Sequence, residues 1–139
     1  MLVGRGQDGG VVHSVLIVDD VEDMRILATV NLESDGRWNV VGAAADGREG
    51  VELATALQPD IVLLDLEMPW MSGPEAIPHI KRASPATAIV IWTVDPEGPR
   101  AVSAMELGVT TIIDKGLTPL PLLAQALAEI FPDATDGSE

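Results

Sequence analysis

Polar residues able to do chemistry stand directly after short apolar runs of the sequence. They are two adjacent aspartates, a third aspartate, a threonine and a lysine: Asp19, Asp20, Asp65, Thr93 and Lys115. Carboxylate oxygens are hard ligands that suit Mg²⁺, which prefers octahedral geometry and keeps several waters. A carboxylate with an ordinary pKa of about 3.9 is also an oxygen nucleophile at neutral pH, able to attack phosphorus and form an acyl phosphate.

These residue types predict a metal-assisted phosphoryl-transfer site if the fold brings them together. Three neighbouring carboxylates repel and raise one another's pKa, so a cation is expected to keep the cluster ionised. Asp65 is the predicted nucleophile. In-line transfer spreads charge over the phosphoryl oxygens, and Mg²⁺, the Lys115 ammonium and the Thr93 hydroxyl are suitable partners for that charge.

The apolar runs alternate with segments of helical spacing. Strands are predicted over 15–18, 38–44, 61–64, 88–92 and 110–113, and helices over 22–32, 48–57, 74–82, before Gly108 and from Pro119. Apolar strands separated by helices predict an α/β fold, a doubly wound parallel sheet of five strands with helices on both faces. Ligands of such sheets bind beyond the carboxyl ends of the strands, where the polar residues stand.

Local features refine this outline. Pro78 removes an N–H within the third helix and predicts a kink or a delayed start there. Thr118 is the predicted cap of the last helix, with Pro119 and Pro121 in its first turn. We predict a flexible leader over 1–12, one folded domain over 13–131 and a disordered tail over 132–139.

Composition excludes several classes of function. The 139 residues carry a formal net charge of −14, which repels a phosphate backbone, so we expect no nucleic-acid binding by this chain alone. The absence of cysteine excludes disulfides and thiolate chemistry and fits a reducing, cytoplasmic setting. No apolar run approaches the roughly 20 residues of a membrane span, so we expect no membrane association.

The motifs together resemble the response regulator receiver family of two-component systems. The resemblance covers about residues 14–131 and is carried by four segments: Val15-Leu-Ile-Val-Asp19-Asp20, Asp65-Leu-Glu-Met68-Pro69-Trp-Met71-Ser-Gly73, Ile91-Trp-Thr93 and Ile113-Asp-Lys115. It implies a flavodoxin-like strand order 2-1-3-4-5 in three layers. It also implies a phosphoprotein in which Asp65 accepts a phosphoryl group from a sensor histidine kinase or phosphotransfer protein.

The resemblance further implies a role for each site residue. Asp20 and Asp65 would bind Mg²⁺ directly, the backbone carbonyl of Glu67 would add a ligand, and Asp19 would help through water. Thr93 and Lys115 would contact the phosphoryl oxygens. Phosphorylation would then switch a surface that binds an unknown downstream protein, and apolar residues on the fourth and fifth helices permit a homodimer.

Two positions depart from the family pattern. Ile112 stands where members commonly carry Tyr or Phe, a ring that turns inward when the threonine moves toward the phosphoryl group. Gly116 replaces the proline that usually follows the lysine, so Lys115 is expected to be held less rigidly. Glu67 and Asp95 lie two residues beyond Asp65 and Thr93, where they flank the route of the hydrolytic water in the family.

Other functions remain open from the sequence. The chain fits a receiver portion of a longer DNA-binding transcriptional regulator, or a receiver-like interaction module that does not depend on phosphate. A small acid phosphatase is a further alternative, because Asp65 and Glu67 resemble a nucleophile with a second acid. Our prediction is a signalling protein that is not an enzyme, apart from its own phosphorylation and slow dephosphorylation.

Overall fold

Five parallel strands form one sheet in the computed structural model, in which residues 11–68, 71 and 73–135 are described. The sheet order is β2-β1-β3-β4-β5. The strands are β1 His13–Val18, β2 Trp38–Ala44, β3 Ile61–Leu64, β4 Ala88–Thr93 and β5 Thr111–Asp114. The helices are α1 Glu22–Asp35, α2 Gly47–Leu57, α3 Gly73–Ala83, α4 Pro99–Glu106 and α5 Leu123–Ile130. The predicted fold class and strand order are confirmed.

The sheet is covered on both faces because side chains alternate along each strand. On one face, Leu16, Val62 and Ile91 pack against buried residues of α2, α3 and α4. On the other face, Ile17, Leu63 and other strand residues pack against α1 and α5. Near-continuous apolar strands such as β3, with all four residues buried, are what a two-sided sheet requires.

Turn and cap residues set where the helices begin and end. α1 stops at Gly36, whose positive φ of 89° is the left-handed conformation that favours glycine at a helix end. α2 is capped by Asp46, whose carboxylate accepts from the N–H of Glu49 at 2.8 Å. The Glu49 carboxylate in turn accepts from the N–H of Ala45 at 2.8 Å.

The third and fifth helices differ from the prediction. We predicted a kink or a delayed start at Pro78; α3 begins at Gly73 and continues through Pro78, so the delayed start does not occur. Pro78 has no N–H, so the carbonyl of residue 74 loses its usual donor within the helix. Pro78 is exposed to solvent. The last helix begins later than predicted: a 3₁₀ turn over Leu120–Leu122 comes first, since Pro119 and Pro121 supply no N–H donors.

The two ends of the described chain meet at the amino-terminal edge of the sheet. Val11 forms a parallel bridge with Ala134, and the N–H of Thr135 donates to the Val11 carbonyl at 2.8 Å. Ala134 is buried. The predicted leader and tail otherwise fall on residues 1–10 and 136–139, which lie outside the described residues. Among the described helices, none is long and apolar enough to cross a membrane.

Candidate functional site

The predicted site residues gather at the carboxyl edge of the sheet. Asp19 follows β1, and its N–H donates to the Ala44 carbonyl at 3.0 Å. Asp65 follows β3, and its N–H donates to the Val18 carbonyl at 2.9 Å. Each bond continues the ladder of the sheet by one residue, so the two aspartates are fixed side by side by backbone pairing. This is the convergence that the strand pattern predicted.

Three carboxylates form a cluster that fits a divalent cation. One oxygen from each of Asp19, Asp20 and Asp65 lies within 4.8 Å of the others. Asp19 and Asp65 are buried, with 1% and 5% of their surface exposed, whereas Asp20 is exposed. A set of hard oxygen donors that is open to solvent on one side suits Mg²⁺, which binds through a few carboxylates and retains water.

Lys115 supplies the positive charge of the pocket. Its ammonium donates to Asp19 Oδ2 at 3.0 Å and lies 3.7 Å from Asp65 Oδ1. The Lys115 side chain is only 15% exposed, so water screens these ion pairs less than it would at an open surface. The ammonium therefore lies beside the predicted nucleophile, where the charge of a phosphoryl group would develop.

The pKa of Asp65 is raised to about 6. The largest cause is burial, which disfavours the charged carboxylate, and the neighbouring Asp19 and Asp20 raise it further. The N–H of Glu67, which donates to Asp65 Oδ1 at 3.1 Å, and the Lys115 ammonium act in the opposite direction. Asp65 thus remains mostly ionised at neutral pH, but burial makes the ionised form unfavourable, and a bound cation would offset this unfavourable free energy.

Thr93 occupies the end of β4 and is fully buried. Its hydroxyl oxygen accepts from the N–H of Asp95 at 3.1 Å, and its carbonyl accepts from the N–H of Lys115 at 2.8 Å. The second bond joins the ends of β4 and β5. Thr93 and Lys115 are therefore mechanically linked through the backbone as well as belonging to one predicted pocket.

The loop after β3 is held against the site by a close glycine contact. A Cβ at Gly73 would lie 2.8 Å from the carbonyl oxygen of Asp65, a distance that real Cβ atoms do not show. This approach explains a glycine at the end of the Asp65–Gly73 motif. Pro69, Trp70 and Ser72 of that motif lie outside the described residues.

A cleft of about 390 Å³ opens beside this loop and is lined by Glu67, Asp95, Pro99 and Arg100. Arg100, in the first turn of α4, donates to the Glu67 carboxylate at 2.9 Å across the cleft. The sequence analysis singled out Glu67 and Asp95 but missed Arg100. No local spacing links Arg100 to Glu67, because 33 residues separate them.

The two departures from the family pattern have visible consequences. Ile112 is partly buried and packs against the core face formed with α2, α3 and α4. After Lys115, the chain turns through a hydrogen bond from the N–H of Gly116 to the Asp114 carboxylate at 2.7 Å. A proline at position 116 has no N–H and would lose this bond. Asp114 therefore stabilises the turn that carries the lysine.

The sequence analysis also missed a contact between Trp92 and the lysine. The Lys115 ammonium lies 4.9 Å from the centre of the Trp92 ring. Trp92 pairs with Ile113 in the sheet, and Lys115 lies two residues further along, on the same face. The register of β4 and β5, which the sequence alone does not specify, was the missing information.

The site combines an acidic cluster, a partly buried lysine and a buried threonine at the carboxyl edge of a flavodoxin-like sheet. This arrangement is the one expected of a phosphoryl-acceptor class of domain. Residues 15–127 match the response regulator receiver domain family. The chain belongs to that family and is a receiver domain of a two-component response regulator. The predicted family is confirmed, and its membership is consistent with the predicted phosphoacceptor role.

Named relatives refine the comparison. The chain is 39% identical over 105 residues to protein-glutamate methylesterase/protein-glutamine glutaminase 1 of Geobacter sulfurreducens, covering 75% of this chain and 29% of that protein. The Halalkalibacterium halodurans protein of the same name is 39% identical over 118 residues, covering 84% and 34%. The response regulator domain of Thermotoga maritima CheB superposes with a TM-score of 0.77 at 30% identity, covering 88% and 96%.

These relatives correct one prediction. We expected a protein that is not an enzyme, whereas the curated relatives are named as methylesterases and glutaminases, so the non-enzyme prediction is wrong. The chain spans about a third of their length. The motifs that we analysed belong to the receiver alone, and they carry no information on a catalytic region outside it. The relatives also do not favour the DNA-binding alternative.

Proposed function

We propose that Asp65 accepts a phosphoryl group, with Asp19, Asp20, Thr93 and Lys115 as its working partners. The observation that supports this most directly is the Lys115 ammonium, 3.0 Å from Asp19 and 3.7 Å from Asp65 in a largely buried pocket. In the reaction, an Asp65 oxygen forms a bond to phosphorus while the bond between phosphorus and the donor's leaving atom breaks. The Lys115 ammonium and the Thr93 hydroxyl stabilise charge on the phosphoryl oxygens.

Asp20, Asp65 and the backbone carbonyl of Glu67 are proposed to hold Mg²⁺, with Asp19 acting through water. The cation would neutralise the cluster and the transferred oxygens. The burial of Asp65 supports the need for a cation, because its pKa is raised to about 6 without one. The physiological donor is proposed to be a sensor histidine kinase or a phosphotransfer protein in the cytoplasm.

Incubation with acetyl phosphate and Mg²⁺ followed by intact mass measurement tests this proposal. The wild type should gain one phosphoryl group and Asp65→Asn none. Removing Mg²⁺ with a chelator should abolish labelling of the wild type. Wild-type chain that gains no mass under these conditions refutes the proposal, and continuous release of phosphate at many turnovers would favour the acid phosphatase instead.

The names of the relatives support a proposal for the output. We propose that phosphorylation of this receiver controls a glutamate methylesterase or glutaminase activity, either in a longer protein or through a separate downstream protein. A homodimer through α4 and α5 is a compatible arrangement. The test adds the chain, with and without acetyl phosphate, to a methylesterase region from the same organism. If the rate of ester hydrolysis is the same without the chain, with the chain, and with the chain and acetyl phosphate, this proposed output is refuted.

A further inference from the structure

The side chain of Trp92 lies directly beneath the lysine of the pocket. Trp92 is 2% exposed, and its ring lies 4.9 Å from the Lys115 ammonium. An aromatic face attracts a cation through its quadrupole, and the attraction is strongest for Trp and for a cation that is shielded from water. Both conditions are met here, because the Lys115 side chain is largely buried.

The indole N–H does not explain why a tryptophan occupies this position. The Trp92 Nε1 atom is buried and has no hydrogen-bond partner among the described residues. A buried donor without an acceptor is unfavourable, and most buried tryptophans find a partner for this group. A leucine would fill apolar space without that penalty. What distinguishes Trp92 from the equally buried Trp38 is that its ring face lies against the Lys115 ammonium.

The lysine needs a support that does not depend on the carboxylates. Its other partners are Asp19 and Asp65, whose charges are altered when a cation or a phosphoryl group binds. The turn after Lys115 depends on Asp114 and Gly116 and lacks the family's proline. The Trp92 ring lies in the buried core, and its face carries no ionisable group that a cation or a phosphoryl group would neutralise.

We infer that Trp92 is a positioning residue, which holds the Lys115 ammonium at the site where it stabilises the transferred phosphoryl group. This inference rests on the proposed phosphorylation of Asp65. It predicts that an aromatic ring at position 92, and not merely an apolar side chain, sets the rate of phosphorylation.

The experiment compares Trp92→Phe, which keeps an aromatic face, with Trp92→Leu, which removes it. Trp38→Leu is the matched control, since Trp38 is also 2% exposed with an unpartnered Nε1 but lies at the start of β2, at the opposite edge of the sheet. The chain contains only two lysines, Lys81 and Lys115, so lysine-selective labelling gives two sets of side-chain NMR signals.

Ring current should shift the Lys115 side-chain methylene protons upfield of those of Lys81 in the wild type. We expect this shift to persist in Trp92→Phe and Trp38→Leu and to vanish in Trp92→Leu. The phosphorylation rate constant with acetyl phosphate should fall about tenfold in Trp92→Leu and less in Trp92→Phe, with no change in Trp38→Leu.

Equal rates in Trp92→Leu and wild type, or Lys115 signals without an upfield shift in the wild type, overturn the inference. If Trp92→Leu does not fold, the wild-type shift and the partial rate loss in Trp92→Phe decide the question alone. Failure of the wild type to be labelled at all would instead refute the proposed function. In that outcome, the chemical shift of Lys115 still reports whether the ring holds the ammonium.

Discussion

Replacing Asp65 with asparagine is expected to stabilise the fold at neutral pH in the absence of Mg²⁺. The pKa of Asp65 is raised from 3.8 to about 6, chiefly by burial, so the folded state disfavours the ionised carboxylate. Each pKa unit corresponds to about 1.4 kcal/mol, which gives an upper value of about 3 kcal/mol. Solvent screening at the open side of the site reduces this value, and we expect a gain of about 1–2 kcal/mol for Asp65→Asn.

The pH dependence of this gain follows from proton binding. Between about pH 4 and 6, the folded wild type binds more protons than the unfolded chain, so its stability falls as pH rises through that window. Asp65→Asn has no carboxyl group at this position, so its stability should not show this decrease as pH rises. The advantage of Asp65→Asn should therefore be absent below about pH 4, grow across the window and be complete above about pH 6.

Urea denaturation followed by tryptophan fluorescence, in chelator and at several pH values, measures this difference. Asp35→Asn is the matched control of opposite sign, because the hydrogen bond from the Arg37 side chain lowers the pKa of Asp35. Its carboxylate stabilises the fold above the unfolded pKa, and that stability disappears as pH falls through the folded pKa. The reasoning is refuted if Asp65→Asn is no more stable than the wild type at pH 7.5 while Asp35→Asn loses stability as expected.

Three further predictions concern the same pocket. Mg²⁺ at one hundred times its dissociation constant should raise the free energy of unfolding by about 2.7 kcal/mol above pH 6, measured in urea titrations, and Asp20→Asn should reduce this gain strongly. Gly73→Ala should lower stability by about 1–3 kcal/mol in thermal melts, because the added methyl would lie 2.8 Å from the Asp65 carbonyl. Lys115→Gln should raise the pKa of Asp65 above that of the wild type, since the ammonium lowers it; carboxyl ¹³C titration without Mg²⁺ would contradict this if the pKa stayed constant or fell.

The sequence predicted the parts of the fold that depend on local pattern. β2 and β3 have the predicted bounds, and the aspartates after β1 and β3 meet because parallel strands end at one edge. The predictions failed where a residue's effect depends on its surroundings. Pro78 is tolerated inside α3 because it faces solvent.

Contacts set by register or by distant elements could not be predicted. The ring of Trp92 meets Lys115 only because β4 and β5 pair with Trp92 opposite Ile113. Arg100 meets Glu67 only because α4 begins beside the loop after β3. Apolar periodicity specifies which face of a strand is buried, but it does not specify which residue of the next strand lies opposite. The match covers only about a third of each relative, and the receiver motifs gave no indication of the enzymatic activity in the relatives' names.

The proposed phosphorylation of Asp65 would act on the rest of the domain through the contacts of the pocket. A ligand shifts a two-state equilibrium only by the difference in its free energy of interaction with the two states. Because Ile112 has no aromatic ring to turn inward, we expect the effect to reach the surface through backbone contacts or through another face of the domain. The bond from the N–H of Lys115 to the Thr93 carbonyl, at 2.8 Å, joins the two strand ends that carry the proposed phosphoryl contacts. A phosphoryl group that draws both side chains toward Asp65 would thus move the ends of β4 and β5 together, and α4 and α5 with them.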